Sequence, residues 1–513
     1  MTLLGHPAGL FLLFLVEMWE RFSYYGMRGL LVLYLVQSTH PAPDASGLVN
    51  AGRGWSRGEA SLLYGWYTGL AYLLPIVGGW IADQLLGTHR SMVVGGLLIA
   101  LGHIVLAVSG LGSLAASDAG MSVFVFGLAL IVIGTGHFKP CVSVMVGQLY
   151  GASDPRRDGA FTIFYMGINL GAFLSAFVCG TLGERVGWHW GFGSAAVGML
   201  AGLGLYVTLR ARLLGEIGRP PEGRRNLSVP CALGGIGAAA VFAGLYHLGA
   251  LGALGARIGA RANGPLLSIA LVGACAAWAV WFVARQEPAD RGPTATIFVF
   301  MLFNAVFWLA FEQAGSSLNL FTDARTERTL GGFEVPTTWF QSVNAGLIFL
   351  LAPLFAALWS WLARRRRDPG QPVKIALGLL FLGLGYVFMV WAGMIAMRPG
   401  VKAPVLLVVA TYFWHTVGEL CLSPTGLSYV TKAAPARYVS LLMGVWFVSS
   451  FLANLGGGIV AAQVEAIERG EISLPWHFGG QADFFLLFVV SSWAAAAVMF
   501  GLAPVLRRYT REA

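Results

Sequence analysis

Charge is what this 513-residue chain has least of: Asp, Glu, Lys and Arg together make up 11% of it, against about 25% in soluble domains. So little charge cannot cover a water-facing surface, which excludes a soluble globular fold. Cysteines are sparse too. All five (Cys141, Cys179, Cys231, Cys275 and Cys421) lie inside apolar runs with no CxxC pair; they imply no disulfide framework and read as small packing residues. The chain has no HExxH element, and its apolar stretches hold no His/Asp ligand cluster, so an intramembrane enzyme lacks its chemistry. No metal or cofactor is expected. No basic stretch or cleavage site precedes the first apolar run, which is expected to be retained. The formal charge of +9 is better explained by cationic loops on one membrane face than by nucleic acid, and no nucleic-acid partner is expected.

What the chain has in abundance is apolar residue, 57% of the total, with a mean hydropathy of +0.71. Stretches long enough to span a bilayer recur about fourteen times, beginning at 10–36. An even number puts both termini on one side. With that side in the cytoplasm, the inner loops hold twice as many Lys and Arg as the outer ones, which sets the expected orientation. A long charged loop, 213–226, sets off two spans at 227–250 and 265–285 that carry no charge in their interiors. The expected architecture is therefore all-α and polytopic. It has a six-helix bundle over residues 1–213, a linker and two inserted helices over 214–292, and a second six-helix bundle over 293–513. Paired halves of this kind are the architecture of secondary transporters, which bind substrate midway through the membrane between the repeats.

Seven charged side chains nevertheless fall inside the other spans: Glu17, Glu20, Arg21, Arg28, Lys139, Glu312 and Glu419. Left alone they would cost on the order of 20 kcal/mol, more than the about 5–15 kcal/mol of a typical fold. They must pair, neutralise or line a wet cavity. Four of them stand in the first span. At about 100° per residue, Glu17, Glu20, Arg21, Tyr24 and Arg28 share one side, with Tyr25 at its margin; Leu12, Phe22 and Leu30 hold the opposite side, which is expected to meet lipid. The charged stripe reads as a substrate or ion pathway. All three bases lie in the first half and two of the acids in the second, so pairs between halves would break or form as the halves rock. Lys139 precedes Pro140, whose missing N–H opens room beside the ammonium. His103, His137 and His415 read as packing histidines.

The stretch Glu17-x-x-Glu20-Arg21-Phe22-x-Tyr24-Tyr25-Gly26 resembles the ExxERFxYYG motif of the proton-coupled oligopeptide transporter family, within the major facilitator superfamily. The family's FYxxIN signature stands as Phe164-Tyr165-Met166-Gly167-Ile168-Asn169. Further matches are Phe307-Trp308 with Glu312-Gln313, Glu419 with Ser423-Pro424, Gly426 and Ser428, and Leu442-x-Gly444-x-Trp446. The turn from Gly78 through Asp83 and Gly87 to Arg90 resembles the superfamily signature after the second span, with Gln84 where a basic residue is common.

The resemblance implies the major facilitator fold, a place in the bacterial inner membrane with both termini cytoplasmic, and import of di- and tripeptides by alternating access. The proton is the coupling ion, and no obligate protein partner is expected. Glu17, Glu20, Arg21, Lys139, Glu312 and Glu419 form the proton-coupling set. Lys139–Glu419 is the expected cytoplasmic gate pair and Arg28–Glu312 the outer one. A zwitterionic peptide needs cations and anions apart: Arg21, Arg28 and Lys139 for its carboxylate, and Glu419 for its ammonium. Asn169 and Asn344 would serve the peptide backbone or amine, while Tyr24, Tyr25, Tyr72, Trp308 and Trp446 would line side-chain pockets. One departure matters. Animal-type members have a histidine after the second-span tyrosine, whereas here Tyr64 is followed by Gly65, so coupling must rest on carboxylates. The other readings are a drug/proton antiporter or nitrate carrier of the same superfamily, an intramembrane enzyme, and a receptor-like sensor. Against export, the stretch from Gly167 to Ser175 lacks the Gly-Pro pair that exporters often carry there.

Overall fold

In a bilayer every backbone N–H and C=O needs an internal partner, and a helix supplies it within its own segment. The computed structural model describes residues 2–43, 47–115, 117–151, 154, 156–220, 225–253, 264–422, 429–430 and 433–509. Its strands are only two residues long each, and fourteen long helices carry the fold. The first six are α1 (Ala8–Val36), α2 (Arg57–Ile81), α3 (Thr88–Val108), α4 (Asp118–Gln148), α5 (Arg157–Ser175) and α6 (Trp188–Leu213). Two follow between the halves, α7 (Ser228–His247) and α8 (Gly264–Ala284). The last six are α9 (Pro288–Phe311), α10 (Gln341–Arg364), α11 (Gln371–Ala396), α12 (Val405–Leu422), α13 (Val439–Ala461) and α14 (Gly480–Leu506). Among the described residues twelve helices are long and apolar enough to cross a membrane. The charged α1, at 29 residues, and α8, at 21, have the length as well.

Local chemistry sets the boundaries. At the start of α2, Ser56 accepts from the Glu59 N–H at 3.2 Å, and its own N–H donates to the Glu59 carboxylate at 3.1 Å. This is a reciprocal capping box. Gly54 and Gly58 flank Ser56 in the GxSxG form that some hydrolases use for a nucleophile. Here the hydroxyl is bound to Glu59 at 2.8 Å, and its work is capping.

Two sets of helices form separate cores. Phe22, Phe124 and Phe192 belong to the first, and Phe300, Leu382, Tyr386 and Phe485 to the second. The inserted helices divide between them. Ala239 of α7 packs with Leu98 of α3 and Leu130 of α4. Phe282 of α8 meets Phe298 of α9 and Tyr438 beside α13, with ring centroids 6.1 and 5.1 Å apart.

Helix α1 is enclosed by protein on the side of Leu12, Phe22 and Leu30, which corrects the expectation that this side meets lipid; of its residues Leu15 alone is exposed. Leu12, Phe22 and Leu30 are 3%, 4% and 0% exposed. The reason is α6, which crosses behind them: a Cβ on Gly198 would stand 2.5 Å from the Phe22 ring, so only glycine lets the helices come so near. The halves meet where α2 crosses α13. There a Cβ on Gly65 would lie 2.8 Å from the Gly458 Cα. The missing histidine thus has a steric reason, since this crossing has no space for a side chain at position 65.

Candidate functional site

The site begins where α9 stops. After Phe311 the helix tightens into a 3-10 turn, Glu312–Gly315, and restarts as a short helix, Ser317–Arg325. Glu312 opens that break and points its carboxylate at α1. Arg28 Nη2 meets Glu312 Oε2 at 2.7 Å, with both side chains buried. Tyr64 of α2 donates to the same oxygen at 3.4 Å. The Arg28 guanidinium also lies 5.4 and 5.7 Å from the Tyr25 and Tyr64 ring centroids. This ion pair joins the two halves.

About two to three turns earlier on α1, Arg21 is shared by two acids. It donates to Glu20 from Nε and Nη2, one edge of the guanidinium meeting both carboxylate oxygens, and pairs with Glu17 at 3.2 Å. Its guanidinium lies 5.2 Å from the Tyr24 ring centroid. Lys139 of α4 interacts electrostatically with Arg21, Glu20 and Glu17, so it completes this cluster from a second helix. Its ammonium rests on the Tyr72 ring, 3.7 Å from the centroid.

Glu419 of α12 is held otherwise. Its carboxylate accepts from Asn344 Nδ2 of α10 at 2.9 Å and from the Tyr165 hydroxyl of α5 at 3.5 Å. Asn344 Nδ2 is also 3.0 Å from the Thr416 hydroxyl. Lys139 and Glu419, expected as a gate pair, form no ion pair among the described residues: one has an aromatic partner and the other neutral donors. Of the expected gate pairs, this conformation brings together Arg28 and Glu312 alone.

A cavity of about 260 Å³ lies between the halves. From the first half Tyr25, Arg28, Tyr72 and Asn169 reach it, and from the second Trp308, Glu312, Asn344 and Glu419. Glu17, Glu20, Arg21 and Lys139 are not among its lining residues. Tyr24 also stays out of the lining and stacks on Tyr67, with centroids 6.2 Å apart. Trp446 belongs to the core of the second half, 8% exposed. These two placements correct the expectation that both aromatics line a side-chain pocket; each is taken up by packing within its own half. Ser423, Pro424, Gly426 and Ser428 lie outside the described residues. The lining adds Tyr165, Gln341, Tyr412 and His415, to which sequence reasoning gave no binding role. Tyr165 carried a signal, standing in the FYxxIN stretch one residue after Phe164. The others had none.

Further polar contacts between halves lie on the side remote from the chain ends. Asn319 donates to the Gly29 carbonyl at 3.0 Å. Arg57, at the start of α2, pairs with Glu465 at 3.1 Å and Glu468 at 2.7 Å, just beyond α13.

Comparison with known proteins places this arrangement. The chain matches the POT family over residues 89–211 and 263–474. It is 38% identical to a peptide transporter of Yersinia enterocolitica, covering 91% of this chain and 89% of that one. It is 36% identical to a di-/tripeptide transporter of Lactococcus lactis, covering 87% and 88%. A crystal structure of a POT peptide transporter in complex with sulfate superposes with a TM-score of 0.78 at 34% identity, covering 100% of this chain and 97% of that one. With the family matched over more than half the chain, and membrane helices framing a central charged cavity, this protein belongs to the POT family of membrane transporters.

Proposed function

We propose that the chain is a proton-coupled symporter of the bacterial inner membrane, with both termini cytoplasmic. It imports di- and tripeptides by alternating access of residues 1–213 and 293–513 around the central cavity. One observation carries the reading: the cavity takes a cation, Arg28, from one half and a carboxylate, Glu419, from the other, with aromatic walls. A short peptide is a zwitterion with a tolerant middle, and it matches such a lining. The relatives' names support the substrate class.

The proton is taken up by the Glu17–Glu20–Arg21–Lys139 cluster. Neutralising one of its acids loosens Arg21 and Lys139, which then receive the peptide carboxylate. Glu419 takes the peptide ammonium, with Asn169 and Asn344 on the backbone. In this conformation the remote side is joined by Arg28–Glu312, as in a carrier closed to the outside. Protonating Glu312 releases Arg28, and closing Lys139 onto Glu419 shuts the cytoplasmic side.

The driving force suffices. One proton moving through 100 mV supplies roughly 2.3 kcal/mol, and one pH unit adds about 1.4 kcal/mol. Together they support accumulation of a neutral peptide on the order of several hundred-fold. The test is proteoliposome uptake of dialanine driven by a proton gradient, run beside peptide counterflow without one. Glu20→Gln is expected to lose the gradient-driven uptake and keep counterflow. Loss of both alike would remove the specific coupling role of Glu20.

A further inference from the structure

The Arg28–Glu312 pair is not the only carboxylate holding the halves together. Past Ser175, α5 continues through a π-helical segment, Ala176–Gly180, and ends in a last turn, Thr181–Arg185. Glu184 in that turn accepts three hydrogen bonds from the other half. The Thr337 N–H donates to it at 2.8 Å, the Thr338 N–H at 2.8 Å and the Thr338 hydroxyl at 2.6 Å.

Those donors open the 3-10 turn Thr337–Phe340 that leads into α10. The first N–H groups of a helix have no partner within it, and they carry the positive end of the helix dipole. The residue placed to cap them is Pro336, which makes no side-chain cap. The second half thus builds a helix start without a cap of its own, and the first half supplies one. The fit is close: a Cβ on Gly180 would stand 2.0 Å from the Thr338 hydroxyl. Trp339 Nε1 adds a bond to the Thr181 hydroxyl at 2.9 Å. On the other side, Asp323 accepts from the Thr337 hydroxyl at 2.8 Å and from Arg328 at 3.3 Å, so Glu184 and Asp323 divide the donors between them.

We propose that Glu184 is a further latch of the remote side, a positioning residue that stabilises the outward-closed state by capping, across the two halves, the 3-10 turn that leads into α10. It rests on the alternating-access reading. Its partner Thr338 and the neighbouring Gly180 reach the cavity lining while Glu184 itself does not, so it sets the balance of conformations without touching substrate. Opening this side exchanges three donors on a carboxylate for water on both partners.

The experiment measures the distance between spin labels placed at exposed Val186 and Leu330 in the full-length protein in nanodiscs, with the five native cysteines replaced. Glu184→Ala is expected to raise the population of long distances at least threefold. Glu184→Gln should give a smaller rise, because its amide oxygen accepts while its NH2 group opposes the remaining donors. Thr338→Val, which keeps shape and removes one donor, should move the same way and covers the case in which Glu184→Ala does not fold. Unchanged distances in every folded variant would overturn the latch. Failure of the transport reading shows differently, as absence of peptide counterflow in the unsubstituted protein.

Discussion

The Arg28–Glu312 and Lys139–Glu419 pairs draw on the same residue classes, each a base in the first half and an acid in the second. Yet one is closed at 2.7 Å, while the other is apart with each member satisfied by something else. Lys139 has the Tyr72 face, and Glu419 has Asn344 and Tyr165. A cation over an aromatic ring contributes about 0.5–2 kcal/mol, and a hydrogen bond to a charged group about 1.5–3 kcal/mol. The open arrangement is therefore compensated to within a few kcal/mol of a direct ion pair. That is the energy gap a two-state element needs if a ligand is to shift it. A gate that opened onto bare charges would never open.

Breaking the closed pair should have the largest effect. Glu312→Ala leaves Arg28 buried without its partner, a loss of about 3–5 kcal/mol. It is expected to lower the thermal unfolding midpoint by several degrees and abolish gradient-driven uptake. Adding Arg28→Ala should recover much of the midpoint but not the transport. Lys139→Ala tests the open pair, whose cation makes no direct ion pair and acts on Glu17 and Glu20 only through the field of the cluster. Its unfolding midpoint should move by less than that of Glu312→Ala, while both uptake and counterflow fall away. If uptake and counterflow persist, Lys139 is neither gate nor carboxylate receptor. The smallest effect is expected from Asn344→Ala, which removes one donor from Glu419. A hydrogen bond to a charged group at about 1.5–3 kcal/mol sets the ceiling, so KM for dialanine should rise by about tenfold, and by no more than about a hundredfold, with expression and folding intact.

Much of this comparison was legible in the sequence, because seven charges inside apolar spans have few places to go. The stripe on α1, the acids at 312 and 419 and the paired halves all follow from counting charges and apolar lengths. What periodicity could not supply was the surroundings of α1. Leu12, Phe22 and Leu30 look the same whether they face lipid or glycine-faced helices, since lipid tails are as apolar as leucine. The partner of Lys139 was hidden because a tyrosine offers its ring and its hydroxyl equally well on paper. Glu184 escaped notice because it stands at the end of a span, where a charge needs no explanation. Gly65 was read as a missing histidine, and only the crossing with Gly458 shows what the glycine is for.

The enclosure of α1 also bears on how the protein is made. Synthesis runs from the N-terminus at about 5–20 residues per second, and 284 residues separate Arg28 from Glu312. The helix with the most charge, its charged stripe wholly buried in protein, therefore leaves the ribosome roughly 15–60 seconds before its counter-ion exists. Until then it has only its own carboxylates and the eight helices, α2 to α9, that precede Glu312. Biogenesis of this carrier is thus a waiting problem, and chains truncated before residue 312 should hold α1 at the insertion machinery instead of releasing it into the bilayer.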